Sequence, residues 1–223
     1  MQKFETPAAI TAALTVSAGR IQLIAADRTD TTVEIRPADS TKSRDVKTAE
    51  QTTVSYDAAV GVLRIDTPAP KNQLLGGLGS VEVTVQLPAG SHVEATSDAA
   101  ELRGVGRLGD VTFKGGYREV KLDEAASAQL AAHDGDITVG RLTGPGEIST
   151  QRGTVRVNEA MRGTLALSTQ QGDIEVVAAQ GVSASLDAGT SFGRVSNSLK
   201  NDGTSTLSIT ATVAQGDITA RSL

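Results

Sequence analysis

Cysteine and tryptophan are absent from this 223-residue chain, and all aromatic residues together make up 2% of it, three Phe and two Tyr. Without cysteine there is no disulfide framework, no thiolate nucleophile and no thiolate metal site. Two histidines, His92 and His133, are too few for a three-histidine metal centre within one chain. Five aromatic rings also leave little for the stacking platforms that grip bases. A cationic patch is missing as well: Lys plus Arg number 21 against 26 Asp plus Glu, a net charge of -5, with both signs scattered along the chain. Phosphate binding needs clustered cations, so nucleic acid is excluded as an expected partner.

No run approaches the roughly 18 consecutive apolar residues of a membrane span. The first residues, Met1 to Pro7, hold one lysine, Lys3, followed by Glu5 and Pro7. Ala8 to Val16 is mildly apolar but is interrupted by Thr11 and Thr15, thinner than a secretory signal core. A cytoplasmic chain without membrane insertion is the expectation.

The sequence is instead rich in glycine, 23 residues, and in short bursts of apolar and polar residues that alternate. Such alternation marks half-buried strands. Leu14-Thr15-Val16, Ile21-Gln22-Leu23, Val33-Glu34-Ile35, Leu63-Arg64-Ile65 and Val81 to Val85 form a first set, punctuated by Gly19, Gly61, Pro68, Pro70, Gly76, Gly77 and Gly79. Ser43 to Gln51 and Asp123 to Leu130 tolerate helix, but Val46 and Leu130 fit strands at least as well.

From about residue 91 the alternation becomes a repeat. Inward pairs recur at Val111/Phe113, Val120/Leu122, Leu130/Ala132, Ile137/Val139, Ile148/Thr150, Val155/Val157, Leu165/Leu167, Ile174/Val176, Ala184/Leu186, Leu207/Ile209 and Ile218/Ala220, with Val195 filling a gap. Successive pairs lie mostly 7 to 11 residues apart, so two steps make a coil of about 18–22 residues, the regime of stacked solenoid turns. A second signature rides on the first: Gly109-Asp110-Val111, Gly135-Asp136-Ile137, Gly172-Asp173-Ile174 and Gly216-Asp217-Ile218, with variants Gly153-Thr154-Val155 and Gly193-Arg194-Val195. Glycine admits a positive φ and Asp bonds its own turn, so Gly-Asp ahead of a strand is corner chemistry.

These patterns predict an all-β protein: a β-solenoid over residues 91–223, with a less regular β portion over 1–90 that packs on it or begins it. A narrow interior between short strands is filled by Val, Ile, Leu and Ala, which accounts for the aromatic poverty. The Gly-Asp-Ile-x-Val units, with Leu14-x-Val16-x-x-Gly19-x-Ile21-x-Leu23 and Val33-Glu34-Ile35, resemble the bacterial putative-adhesin family of β-strand-repeat proteins. The resemblance covers about residues 10 to 223. It implies a β-helix-like fold and a link to envelope processes, and it carries over no catalytic residue.

Several local motifs invite chemistry. Gly104-Val105-Gly106-Arg107-Leu108-Gly109 matches the dinucleotide fingerprint, with Asp123 downstream, but Asp110-Val111-Thr112-Phe113 follows as a strand where a helix is required. Gly189-Thr190-Ser191-Phe192-Gly193 matches the hydrolase nucleophile elbow, again with a strand after it and no later histidine. Stacked Gly-Asp corners could gather carboxylates. No metal is expected, because Thr154 and Arg194 interrupt the row and the calcium β-roll nonapeptide is missing; were one bound, its ligands would be Asp110, Asp136, Asp173 and Asp217. His133, with Asp123, Glu124 and Arg118 on a shared face, is the arrangement a polysaccharide-acting enzyme would need, Tyr117 and Phe113 being the nearby rings.

The sum is a non-enzymatic scaffold or interaction module without cofactor, whose partner is a protein or envelope component. A self-assembling, bactofilin-like structural protein is the alternative: Ile218 to Leu223 ends a repeat with no cap in sight, so an open end is expected there.

Overall fold

The computed structural model describes residues 1–68 and 79–223; the expected turn at Pro70, Gly76 and Gly77 lies outside them. The protein is all-β, nineteen strands and one short helix among the described residues. The strands sort into two ladders of nine parallel strands each, because alternating residues bury one face and show the other.

The first ladder runs, in spatial order, β6 (Val62–Asp66), β2 (Thr11–Thr15), β8 (His92–Ser97), the second half of β9 (Ala99–Gly115), the second half of β10 (Val120–Asp134), β12 (Gly146–Arg152), β14 (Gly163–Gln171), β18 (Leu207–Gln215) and β16 (Ala184–Phe192). The second runs β7 (Val81–Pro88), β3 (Ala18–Ala26), the first halves of β9 and β10, β11 (Ile137–Leu142), β13 (Val155–Ala160), β15 (Ile174–Ala178), β19 (Ile218–Ser222) and β17 (Val195–Ser198). The long strands β9 and β10 turn the corner between the ladders without interruption. Gly106, at φ +81°, lies at a bulge in β9, where Gly104 to Arg107 face only Leu122 to Glu124 of β10; β10 changes ladder between Ala125, paired with Leu142, and Ala128, paired with Gly146.

The inner faces of both ladders form one apolar cluster, almost entirely aliphatic. Ile137, Val155, Ile174 and Ile218 stack in register, each 0% exposed. Phe113 is the exception in size, fully buried with its ring edge against Gly116.

Three strands are antiparallel. β4 (Asp30–Pro37) covers the free side of β7, β1 (Gln2–Glu5) covers β4, and β5 (Thr53–Asp57) covers β6. The sheet is therefore mixed, and β2, β3, β6, β7 and β8 belong to the same parallel ladders as the later repeats. The helix α1 (Ser43–Gln51) settles one of the two ambiguous segments. Asp45 and Thr48 are its buried residues: Ser80 N–H donates to Asp45 Oδ1 at 2.9 Å and Gly79 N–H to Thr48 Oγ1 at 3.0 Å. The second ambiguous segment, 123–130, is strand throughout, within β10.

The order of layers differs from the order of the chain at both ends. β2 and β3 lie between the β6/β7 layer and the β8/β9 layer, and β18 and β19 lie between β14/β15 and β16/β17. The strand ending at Ser222 thus has neighbours on both sides, which corrects the expectation of an open end at Ile218 to Leu223. The outermost layer is β16/β17. Val195, placed by the repeat among the buried positions, is 45% exposed because no further layer among the described residues covers it.

Candidate functional site

The Gly-Asp corners line up where the first ladder turns into the second. Gly135, Gly153, Gly172, Gly216 and Gly193 occupy this edge, all with φ between +128° and +159°. A Cβ on Gly172 would lie 2.1 Å from the Gly153 carbonyl oxygen, so side chains are excluded at that position. Each aspartate reaches across to the next layer. Thr154 N–H donates to Asp136 Oδ1 at 2.8 Å, Asp217 N–H to Asp173 Oδ1 at 2.8 Å, and Arg194 N–H to Asp217 Oδ1 at 2.9 Å. Threonines reinforce the edge from inside: Thr169 Oγ1–H donates to the Gly153 carbonyl at 3.0 Å and Thr190 Oγ1–H to that of Gly216 at 3.0 Å. A carboxylate aimed at the N–H of the neighbouring layer is a staple, and it satisfies a backbone donor that the sharp turn would otherwise leave open.

Asp110 is not part of this row. It sits on the outer face of the first ladder, where Ser127 Oγ–H donates to its Oδ1 at 2.6 Å and its own N–H donates to His92 Nδ1 at 3.0 Å. This Ser127, Asp110 and His92 grouping escaped the sequence reading, because its members come from three different strands. Its order differs from a nucleophile triad, since the serine bonds the acid and not the histidine. Among the described residues no group of three or more His, Asp or Glu side chains is placed to hold a metal ion.

His133 and Ser191 line one open groove of about 650 Å³ on the outer face of the first ladder, with Lys114, Ser149, Gln151 and Ser168 among its other walls. Gln151 Nε2 lies 3.5 Å from His133 Nδ1, and Tyr117 stacks on the imidazole with ring centres 5.6 Å apart. Four strand steps, from β10 through β12, β14 and β18 to β16, separate His133 from Ser191, about 19 Å at the usual strand spacing. The two cannot share a proton.

The carboxylates expected beside His133 are elsewhere. Asp123 and Glu124 belong to the second ladder's half of β10, where Asp123 pairs with Arg103 at 3.0 Å and accepts the Gly106 N–H at 3.2 Å. Glu124 lies 3.9 Å from Arg141, which pairs more closely with Glu159 at 2.8 Å. The hydrogen bond that Arg141 donates to Glu159, and then the carboxylate's charge, hold the Arg141 guanidinium above its ordinary value, as Glu175 does for Arg156. The outer face of the second ladder is therefore a lattice of cross-strand ion pairs. Gly104, Gly106 and Gly109 lie inside the continuous strand β9, so the dinucleotide match lacks the helix that would bind pyrophosphate.

The first ladder's outer face is different. One row crosses it as Thr15, Thr96, Lys114, Ala131, Ser149, Ser168 and Thr212, in register over seven strands and, but for Lys114, made of small and hydroxyl side chains. Two further depressions, of about 510 and 350 Å³, lie on this face, the smaller one meeting the groove at Lys114 and lined by Thr15 and Thr96.

Residues 11–222 match the model of a family described as Toastrack DUF4097. Among solved structures, a "putative cell adhesion protein" from Clostridium sporogenes is similar at 10% identity and a TM-score of 0.42, covering 100% of this chain and 98% of that one. "Putative adhesin" structures from Bacteroides fragilis (12% identity, TM-score 0.48) and Parabacteroides distasonis (13%, 0.47) each cover 98% of this chain, with 95% of their own length matched. No curated protein matches the chain.

Proposed function

The chain belongs to the Toastrack DUF4097 family, and from that premise we propose that it is a non-enzymatic, adhesin-like β-solenoid scaffold that binds a partner along the outer face of its first ladder. The partner is a protein or an envelope component, and a cytoplasmic location is part of the same proposal. Among the described residues no helix is long and apolar enough to cross a membrane.

One observation carries the reading: the register row from Thr15 to Thr212 gives a track about 29 Å long at the usual strand spacing, made of small and hydroxyl side chains with the single cation Lys114. Among the described residues no ion pair ties up the track's polar groups as on the opposite face, and its depressions of about 650 and 350 Å³ meet at Lys114. An extended chain laid along it would meet hydroxyl donors and acceptors at five of the seven strands and the Lys114 ammonium at a sixth.

The test uses photo-crosslinking residues placed at Ser168 on the track and at Arg156 on the ion-paired face. Capture of the same partner from Ser168 alone, lost when Ser149→Arg blocks the track, supports the reading. Equal capture from both faces overturns it.

A further inference from the structure

We propose that two copies of this chain associate tail to tail through β16 and β17, across a two-fold axis normal to the sheets. β16 bonds to β18 on one side and β17 to β19 on one side, and among the described residues neither has a strand on its other side. The Lys200 carbonyl accepts the Ala184 N–H at 2.9 Å at the start of β16; beyond it, alternate N–H and C=O groups of both strands point outward with no strand partner among the described residues.

The apolar surface of this layer is uncovered too. Val195 occupies the position that Ile218 holds in the layer below; Ile218 is 0% exposed and Val195 45%, and Phe192 beside it is 74% exposed. Natural sheets blunt an open edge with charge, proline or irregular length. The two tail strands, Ala184–Phe192 and Val195–Ser198, carry one charged residue, Asp187, and no proline.

A second copy is the occupant that fits. The two edges stop at the same layer, so the tail offers both ladders at once, and a single docking strand would cover half of it. The head of the stack does not match this shape. There, among the described residues, the second ladder continues through β4 to β1 while the first stops at β5, one strand short, and β1 carries Lys3 and Glu5. Head-to-tail growth lacks a flush acceptor, whereas a tail turned by 180° meets its own copy with β16 antiparallel to β16 and β17 antiparallel to β17. Such an isologous contact closes at two copies and makes no filament.

Sedimentation of the full chain over a wide concentration range tests this. A monomer–dimer equilibrium that stops at the dimer is expected. Val195→Lys and Phe192→Lys, each with circular dichroism unchanged, should weaken it about tenfold or more, by placing like charges across the axis. Val60→Lys, 68% exposed before substitution and in the turn between β5 and β6 at the head, should leave it intact. A chain that is monomeric at every concentration, assembly that grows past the dimer, or a dimer that both tail variants leave untouched would overturn the proposal.

Discussion

The Asp173 carboxylate accepts the Asp217 backbone N–H at 2.8 Å, although 44 residues separate the two in the chain. Between them in sequence lies a whole layer, β16/β17, that sits outside both. The bond therefore records how the stack is closed: the chain skips a level, builds the outermost layer, and returns to fill the gap with β18 and β19.

Layer position sets the cost of an inward charge. Ile174→Asp and Ile218→Asp place an unpaired carboxylate in the dry interior and should cost several kcal/mol, enough to unfold the chain or nearly so. Val195→Asp, at the same inward position in the exposed outer layer, should cost about 1 kcal/mol or less. Urea denaturation of the three variants measures the difference, and equal losses would contradict the layer assignment.

The corner staples make a graded series. Gly172→Ala forces a side chain into the Gly153 carbonyl at φ +136° and should cost about 2 kcal/mol or more. Asp173→Ala should cost about 1 kcal/mol, and Asp173→Asn, which keeps an acceptor oxygen, less than half of that. Calcium titration by calorimetry should give no binding heat with any of the three corner variants or the parent, because each carboxylate already serves a backbone donor. Calcium uptake abolished by Asp173→Ala would show instead that the row is a metal site.

Ser191→Ala and His133→Ala remove side chains that stand about 19 Å apart on an open face. Each should change the unfolding free energy by about 0.5 kcal/mol or less. A large loss from either would mean that the groove is a tighter structure than its open walls imply.

Acid should loosen the head of the stack before the repeats. Asp30 is held below the ordinary carboxylate range, first by the hydrogen bond from Arg28 and then by that from Lys3. A lowered folded value stabilises above the unfolded value and loses that contribution as pH falls through the folded one. The window therefore lies below the ordinary aspartate value of 3.8. Asp30→Asn should flatten the pH dependence of melting there and leave it unchanged near neutrality. An effect centred near pH 7 would be inconsistent with this carboxylate.

The legible part of the fold is the local part. Pairs such as Ile137/Val139 and Ile174/Val176 announce buried strands because the side-chain period of a strand is two, and Gly135 and Gly172 announce corners because a positive φ is needed there. Layer order is not local. Every corner presents the same glycine carbonyl and the same kind of donor, so Asp173 could serve Arg194 as well as Asp217 on sequence grounds, and the repeat reads the same with β18/β19 inside or outside. The helix was ambiguous for a related reason: its buried positions, Asp45 and Thr48, are polar and bind backbone, so they leave no apolar stripe to read. For the candidate site, adjacency in sequence misled. His133, Asp123 and Glu124 are near neighbours in the chain, yet β10 bends between the two ladders and sends the acids to the opposite face.

Native-state hydrogen exchange, on the chain diluted until it is monomeric, tests the layer order most directly. The order described predicts that amides of β18 and β19, bonded on both sides, exchange far more slowly than those of β16 and β17, although they come later in the chain. Amides of Ile209 and Ile218 exchanging as fast as those of Leu186 and Val195 would contradict it.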